Sequence, residues 1–151
     1  MSEIKSVALP HLDENILDSD PIKQFRIWLD DALRAKLPHG EAMALATSTI
    51  DGNPSARVVL LKHVDERGFV FYTNYESRKG KELVSNPKAA LVFFWSELDR
   101  QIRVEGIVTR MPQNRAHQSK TAKCSTAALM TSSDNSMAES FRDQRTGADI
   151  E

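Results

Sequence analysis

Between residues 43 and 111 the apolar residues recur at strand period in five successive segments, with few intervening stretches that resemble crossover helices. Parallel neighbours need a crossover of a dozen or more residues, so a chain passing from strand to strand through turns must pair them antiparallel. Residues 43–50 (MALATSTI) lead through Asp51-Gly52-Asn53-Pro54 into residues 56–62 (ARVVLLK), a strand, turn and strand with the Asp-Gly signal in place. A polar turn over 63–68 precedes a third strand at 69–73 (FVFYT). A short basic helix over 77–84 (SRKGKELV) stops near Asn86-Pro87. Residues 89–95 and 100–111 supply the fourth and fifth strands. The pattern predicts an α+β, mainly β fold, an antiparallel barrel or meander and not a doubly wound sheet.

Upstream, Asp20 is placed to cap a helix and Pro21 to open it. Ile22, Phe25, Trp28, Leu29, Ala32 and Leu33 then follow at three- and four-residue spacing until Pro38, which predicts one amphipathic helix of about 16 residues. Residues 1–19 show no period and read as a flexible or loosely docked arm. After Pro112 the chain turns polar and rich in Ser and Thr, with only Leu129, Met130, Met137, Phe141 and Ile150 large and apolar. Residues 112–151 therefore read as a tail, weakly helical around 116–130 and 136–145, that either packs on the barrel or a partner subunit or stays mobile. At 151 residues the chain has room for one domain, over residues 20–111.

Twenty basic against 21 acidic residues give a net charge of -1, which provides no global footprint for duplex nucleic acid or an anionic membrane. The longest apolar run, residues 89–95, falls far short of a bilayer span. A single cysteine, Cys124, and an N-terminus without a basic and then apolar stretch lead to the expectation of a soluble protein in a reducing cytoplasm.

Any ligand chemistry must then be local, and the cations concentrate in one stretch. Arg57, Lys62, Arg78, Lys79 and Lys81 stand beside Tyr72, Thr73 and Ser77, a set that suits a phosphate. Ser77 at a helix start offers a hydroxyl and the free N–H groups of the first turn. A solvated helix face explains Arg78, Lys79 and Lys81 equally well. Arg57 and Lys62 lie in or at the end of an apolar strand, where a charge without a partner is costly. Strand alternation sends them to opposite faces unless a bulge or the strand end intervenes. Their ordinary explanation is an edge arginine with a carboxylate and a terminal lysine reaching for water. His11, His39, His63 and His117 lack paired metal spacing, Cys124 has no evident base, and neither a phosphate-loop motif nor GxGxxG is present.

Residues 57–62 (RVVLLK), 69–74 (FVFYTN), Ser77-Arg78-Lys79 and Arg100-Gln101, in this order and spacing, resemble the pyridoxamine 5'-phosphate oxidase family. The resemblance covers roughly residues 20–111. It implies an FMN-binding antiparallel split β-barrel with an N-terminal helix and short flanking helices, working as a homodimer with the flavin between subunits. The flavin contacts it implies are Arg57, Val58, Val59, Leu60, Leu61, Lys62, Tyr72, Thr73, Arg78, Lys79 and Gln101, with Arg57, Arg78 and Lys79 toward the phosphate. Lys62 also matches the family's lysine for the substrate phosphate. The activity implied is oxidation of a phosphorylated B6 vitamer, with hydride passing to FMN and oxygen reoxidising it.

The chain departs from the family toward its end. Ser119, Lys123 and Ala127 stand where a Tyr, Arg and Ser hold the substrate phosphate, so Lys123 is the one cation retained there. Ser136 and Met137 replace a Gln-Ser pair, and the family's C-terminal Arg-x-His region is not among these residues. Three expectations follow. The first is an oxidase of pyridoxamine or pyridoxine 5'-phosphate, turning over slowly or not at all; the second is a non-catalytic protein that binds flavin or B6 phosphate; the third is a split-barrel dimer with no bound cofactor.

Overall fold

The computed structural model describes residues 14–111, 126–132 and 141–143. Two α-helices and seven strands follow in the order α1 (Pro21–Arg34), β1 (Ala42–Ser48), β2 (Pro54–Asp65), β3 (Gly68–Thr73), α2 (Arg78–Ser85), β4 (Lys88–Trp95), β5 (Arg100–Arg110), β6 (Thr126–Ser132) and β7 (Phe141–Asp143). All pairings are antiparallel, and the neighbours β4–β1–β2–β3–β6–β5 close back through β5–β4 into a barrel. This is the mainly β, antiparallel architecture the turn-linked strands predict.

The N-terminal helix is 14 residues long and opens as its sequence dictates. Asp20 Oδ1 accepts from the N–H groups of Ile22 (2.9 Å) and Lys23 (3.3 Å), and Pro21 takes the first helical position. Its inner face sends Phe25, Trp28 and Ala32 into the barrel. Phe25 is fully buried, with ring centroids 4.8 Å from Phe69 and 4.9 Å from Phe93. Trp95 Nε1 donates to the Gly40 carbonyl at 2.9 Å, and Arg100 joins Asp31 at 3.0 Å while lying over the Trp28 ring. Of the expected N-terminal arm, residues 1–13 lie outside the described residues. The described end is docked: Glu14–Ile16 form a 3-10 turn, Leu17 packs on the core and the Asp18 N–H donates to Gln24 Oε1 at 2.8 Å.

The two helices cover opposite ends of β2. α1 meets its finish, where an Arg26 Nη donates to the Val64 carbonyl at 2.6 Å. α2 meets its beginning, where Ser55 donates to Glu82 at 2.6 Å, and Leu83 enters the core.

Residues 126–132 and 141–143 are strands, which corrects the expectation of weak helices where these residues fall within it, and the rest of the expected tail lies outside the described residues. β6 fills the gap between β3 and β5, with Phe71 opposite Ala128 and Val108 opposite Met130. β7 pairs with the start of β5. Alanine at 127 and 128 favours a helix locally, but two open strand edges offer a full ladder of hydrogen bonds that local periodicity does not reveal. No helix among the described residues is long and apolar enough to cross a membrane.

Candidate functional site

α2 begins on a tightly tied turn. Asn74 Oδ1 accepts from the Glu76 N–H at 2.9 Å, and the Asn74 carbonyl accepts from both the N–H (3.1 Å) and the hydroxyl (2.5 Å) of Ser77. Ser77 caps the helix by accepting from the Gly80 N–H at 3.3 Å, and the Lys79 ammonium comes within 3.4 Å of its oxygen. The hydroxyl offered as a ligand group is thus already the helix cap. A Cβ on Gly80 would stand 2.5 Å from the Asn74 carbonyl oxygen, so the missing side chain lets the helix lie against its own leading turn. Arg110 of β5 stacks over Tyr75 at 4.9 Å and holds that turn to the barrel; burial, more than the arginine opposes it, pushes the Tyr75 phenol up.

From this turn the helix places Arg78 and Glu82 one above the other. Arg78 Nε donates to Glu82 Oε1 at 2.8 Å. Glu82 Oε2 accepts from Thr47 (2.5 Å) and Ser55 (2.6 Å) and lies 3.5 Å from an Arg57 Nη. Arg57 further donates to Thr47 Oγ1 at 2.6 Å, Ser55 Oγ at 2.5 Å and the Leu45 carbonyl at 3.1 Å. Hydrogen bonds from Ser55 and Thr47, with a smaller contribution from Arg78, hold the Glu82 carboxyl at about 2 against the opposing effect of burial. Glu82 is therefore ionised at any pH near neutrality, and the carboxylate partner the strand arginine requires is this one. Sequence reasoning missed Glu82, Thr47 and Ser55. The four-residue spacing from Arg78 to Glu82 was the signal for the first.

The predicted flavin contacts divide between two faces of the sheet. Residues directly opposite on antiparallel strands share a face. Arg57 opposes Leu45, and Leu45 opposes Leu91, so Arg57 points to the inner side with Val59 and Leu61. Val58 opposes Ala44, which opposes Val92, on the outer side. Val58, Leu60 and Phe94 are exposed there at 71%, 43% and 57%. Gln101 opposes Phe94 and shares that face. β2 shifts register between Leu61 and His63, a bulge at Lys62 that leaves both Lys62 and His63 exposed. The bulge required to reorient Lys62 is present, yet it leaves the lysine on the outer side with Val58 and Leu60. Tyr72 is half-buried, packed beside Val70 and Met111, while Thr73 is fully buried. Arg57, Arg78 and, through Ser77, Lys79 thus gather at one end of the barrel. Lys62 and Gln101 do not join them, and Lys123 lies outside the described residues.

Comparison with known proteins identifies the family and the fold. The family model described as "Pyridoxamine 5'-phosphate oxidase" matches residues 29–144. A pyridoxine/pyridoxamine 5'-phosphate oxidase of Thermosynechococcus vestitus is 55% identical over 115 residues, 74% of this chain and 54% of that protein. The chain spans about half the length of the curated relatives it matches. Among solved structures, PhzG from Burkholderia lata, in complex with tetrahydrophenazine-1-carboxylic acid, superposes with a TM-score of 0.74 at 24% identity, covering 84% of this chain and 83% of that one. A pyridoxamine 5'-phosphate oxidase-related, FMN binding protein from Nostoc punctiforme gives 0.52 at 22% identity, with 62% and 53% covered. The last two comparisons share the fold, and the sequence match carries the kinship: with residues 29–144 covered by the family model and 55% identity to a relative over 74% of its length, the chain belongs to the pyridoxamine 5'-phosphate oxidase family.

Proposed function

We propose that the chain is an FMN-dependent protein of the pyridoxamine/pyridoxine 5'-phosphate oxidase type, acting on a phosphorylated B6 vitamer in the cytoplasm and serving pyridoxal phosphate biosynthesis. The observation that carries the reading is the cation group of Arg57, Arg78 and Lys79 at the capped start of α2. Arg78 is 70% exposed and, among the described residues, is bonded through Nε, which leaves its two Nη groups for a phosphate. The donor set fits a phosphate monoester, with the Arg78 guanidinium, the Lys79 ammonium and the N–H end of a helix as donors and the charge of Arg57 beneath them. When bound, FMN supplies the hydride-accepting chemistry, and the protein's own part is placement. Arg78 and Lys79 hold the phosphate, Lys62 serves substrate phosphate as well as flavin, and Gln101 hydrogen-bonds the ring.

Lys62 and Gln101 stand on the outer face, whereas Arg57 points inward, so one chain alone does not surround a ligand with all of them. A second copy laid on the apolar face of Val58, Leu60, Val92 and Phe94 makes the enclosing cleft, and the reading therefore includes a homodimer. Sedimentation at micromolar concentration is expected to give twice the chain mass. Val58→Asp, which sets a charge in the centre of that face, is expected to shift the protein to the single-chain mass. A single-chain mass for the unmodified protein would remove the shared cleft.

Anaerobic mixing with pyridoxamine phosphate tests the function. The purified protein is expected to retain FMN through gel filtration, and the substrate to bleach the oxidised flavin band slowly, since Lys62 and Lys123 remain for the substrate phosphate while the Tyr and Ser of the family's cluster are replaced. Flavin retained with no bleaching assigns the non-catalytic binding role. Flavin lost on the column overturns both.

A further inference from the structure

We propose that Glu82 is the positioning residue of the anion site, setting the arginines on which phosphate recognition depends. The proposal rests on the reading of Arg57, Arg78 and Lys79 as phosphate ligands. Glu82 is buried on the barrel side of α2, and its carboxylate joins an arginine of β2 to an arginine of α2. Thr47 and Ser55 fix the carboxylate from β1 and β2, so its place is set by the barrel and not by the helix alone. Arg78, otherwise a long exposed side chain, is thereby held at Nε with its remaining donors kept in one region.

The carboxylate also sets the charge of the site. Three cations against one carboxylate leave two positive charges, the complement of a phosphate monoester in its dianionic form. Removing the negative charge has two effects of opposite sign. The extra positive charge attracts an anion more strongly, while the freed Arg78 loses its fixed geometry. Water and salt screen the first effect at a site this open, whereas a misplaced guanidinium forfeits charge-assisted hydrogen bonds outright. Positioning outweighs charge, and the sign of the change in affinity reveals which is at work.

The experiment titrates the unmodified protein and Glu82→Gln with FMN, riboflavin and inorganic phosphate. Glutamine keeps the volume and one acceptor for Thr47 and Ser55, but turns an amide donor toward Arg78 Nε. With melting curves confirming that the variant folds, the FMN dissociation constant is expected to rise tenfold or more and that for riboflavin by less than threefold. FMN bound by the variant as tightly as before, or more tightly, overturns the role of Glu82 and leaves the flavin reading standing. Inorganic phosphate bound and then weakened tenfold by the substitution, with neither flavin bound by either protein, supports Glu82 and overturns the flavin reading. No binding of any of the three by the unmodified protein overturns both. A measurement independent of the variant's folding is the Arg78 Nε–H resonance of the unmodified protein. Slow exchange with water, with a shift on adding phosphate, is expected; exchange as fast as a free arginine overturns the proposal.

Discussion

Phe25→Ala is expected to lower the free energy of unfolding by about 3–5 kcal/mol, the largest stability loss of any change considered for this chain. Phe25 is fully buried where α1 enters the barrel, against Phe69 of β3 and both Phe93 and Trp95 of β4. Those rings come from elements far apart in sequence, so the space left by the benzyl group has no single neighbour able to collapse into it. The aromatic pairs add edge-to-face contacts to the area buried. A domain of this size is stable by about 5–15 kcal/mol in total, so the substitution removes a substantial share. Urea denaturation checks it: the midpoint should fall with the slope unchanged. A midpoint within experimental error of the unmodified protein would mean that α1 is dispensable to the barrel.

Arg78→Ala combined with Lys79→Ala is expected to weaken FMN binding at least tenfold and riboflavin binding much less. Charge-assisted hydrogen bonds are worth roughly 1.5–3 kcal/mol each, and tenfold in affinity corresponds to about 1.4 kcal/mol. Riboflavin carries the same ring without the phosphate, so its affinity reports everything except the anion contacts. Arg78 is mostly exposed, and the melting temperature of the variant separates a loss of the fold from a loss of the anion contacts. Equal loss for both flavins would show that the pair supports the fold and does not read the phosphate.

The barrel class was legible because the strands between 42 and 110 are joined by turns whose chemistry is local, such as the Asp51-Gly52 hairpin with Gly52 at a φ of 85°. α1 was legible to within a few residues for the same reason, through Asp20, Pro21 and the spacing of its apolar residues. β6 and β7 were not legible, because their strand character comes from edges supplied by β3 and β5, and an Ala-rich segment carries no local sign of them. At the site, the cations were legible as charges out of place, whereas their acceptor was not. Thr47 and Ser55 look like ordinary strand residues until the register sets them opposite each other, beside a helix that arrives later in the chain.

Closure of the barrel by β6 has a consequence for how the protein is made. Synthesis proceeds from the N-terminus, so β3 and the far half of β5 leave the ribosome before the strand that joins them. During that interval two sticky ladders of backbone N–H and carbonyl groups face solvent or other nascent chains. Chaperone capture of the nascent chain should therefore peak after Arg110 has emerged and fall once Ser132 is free, and premature termination between these points would yield an aggregating fragment and not a smaller soluble barrel.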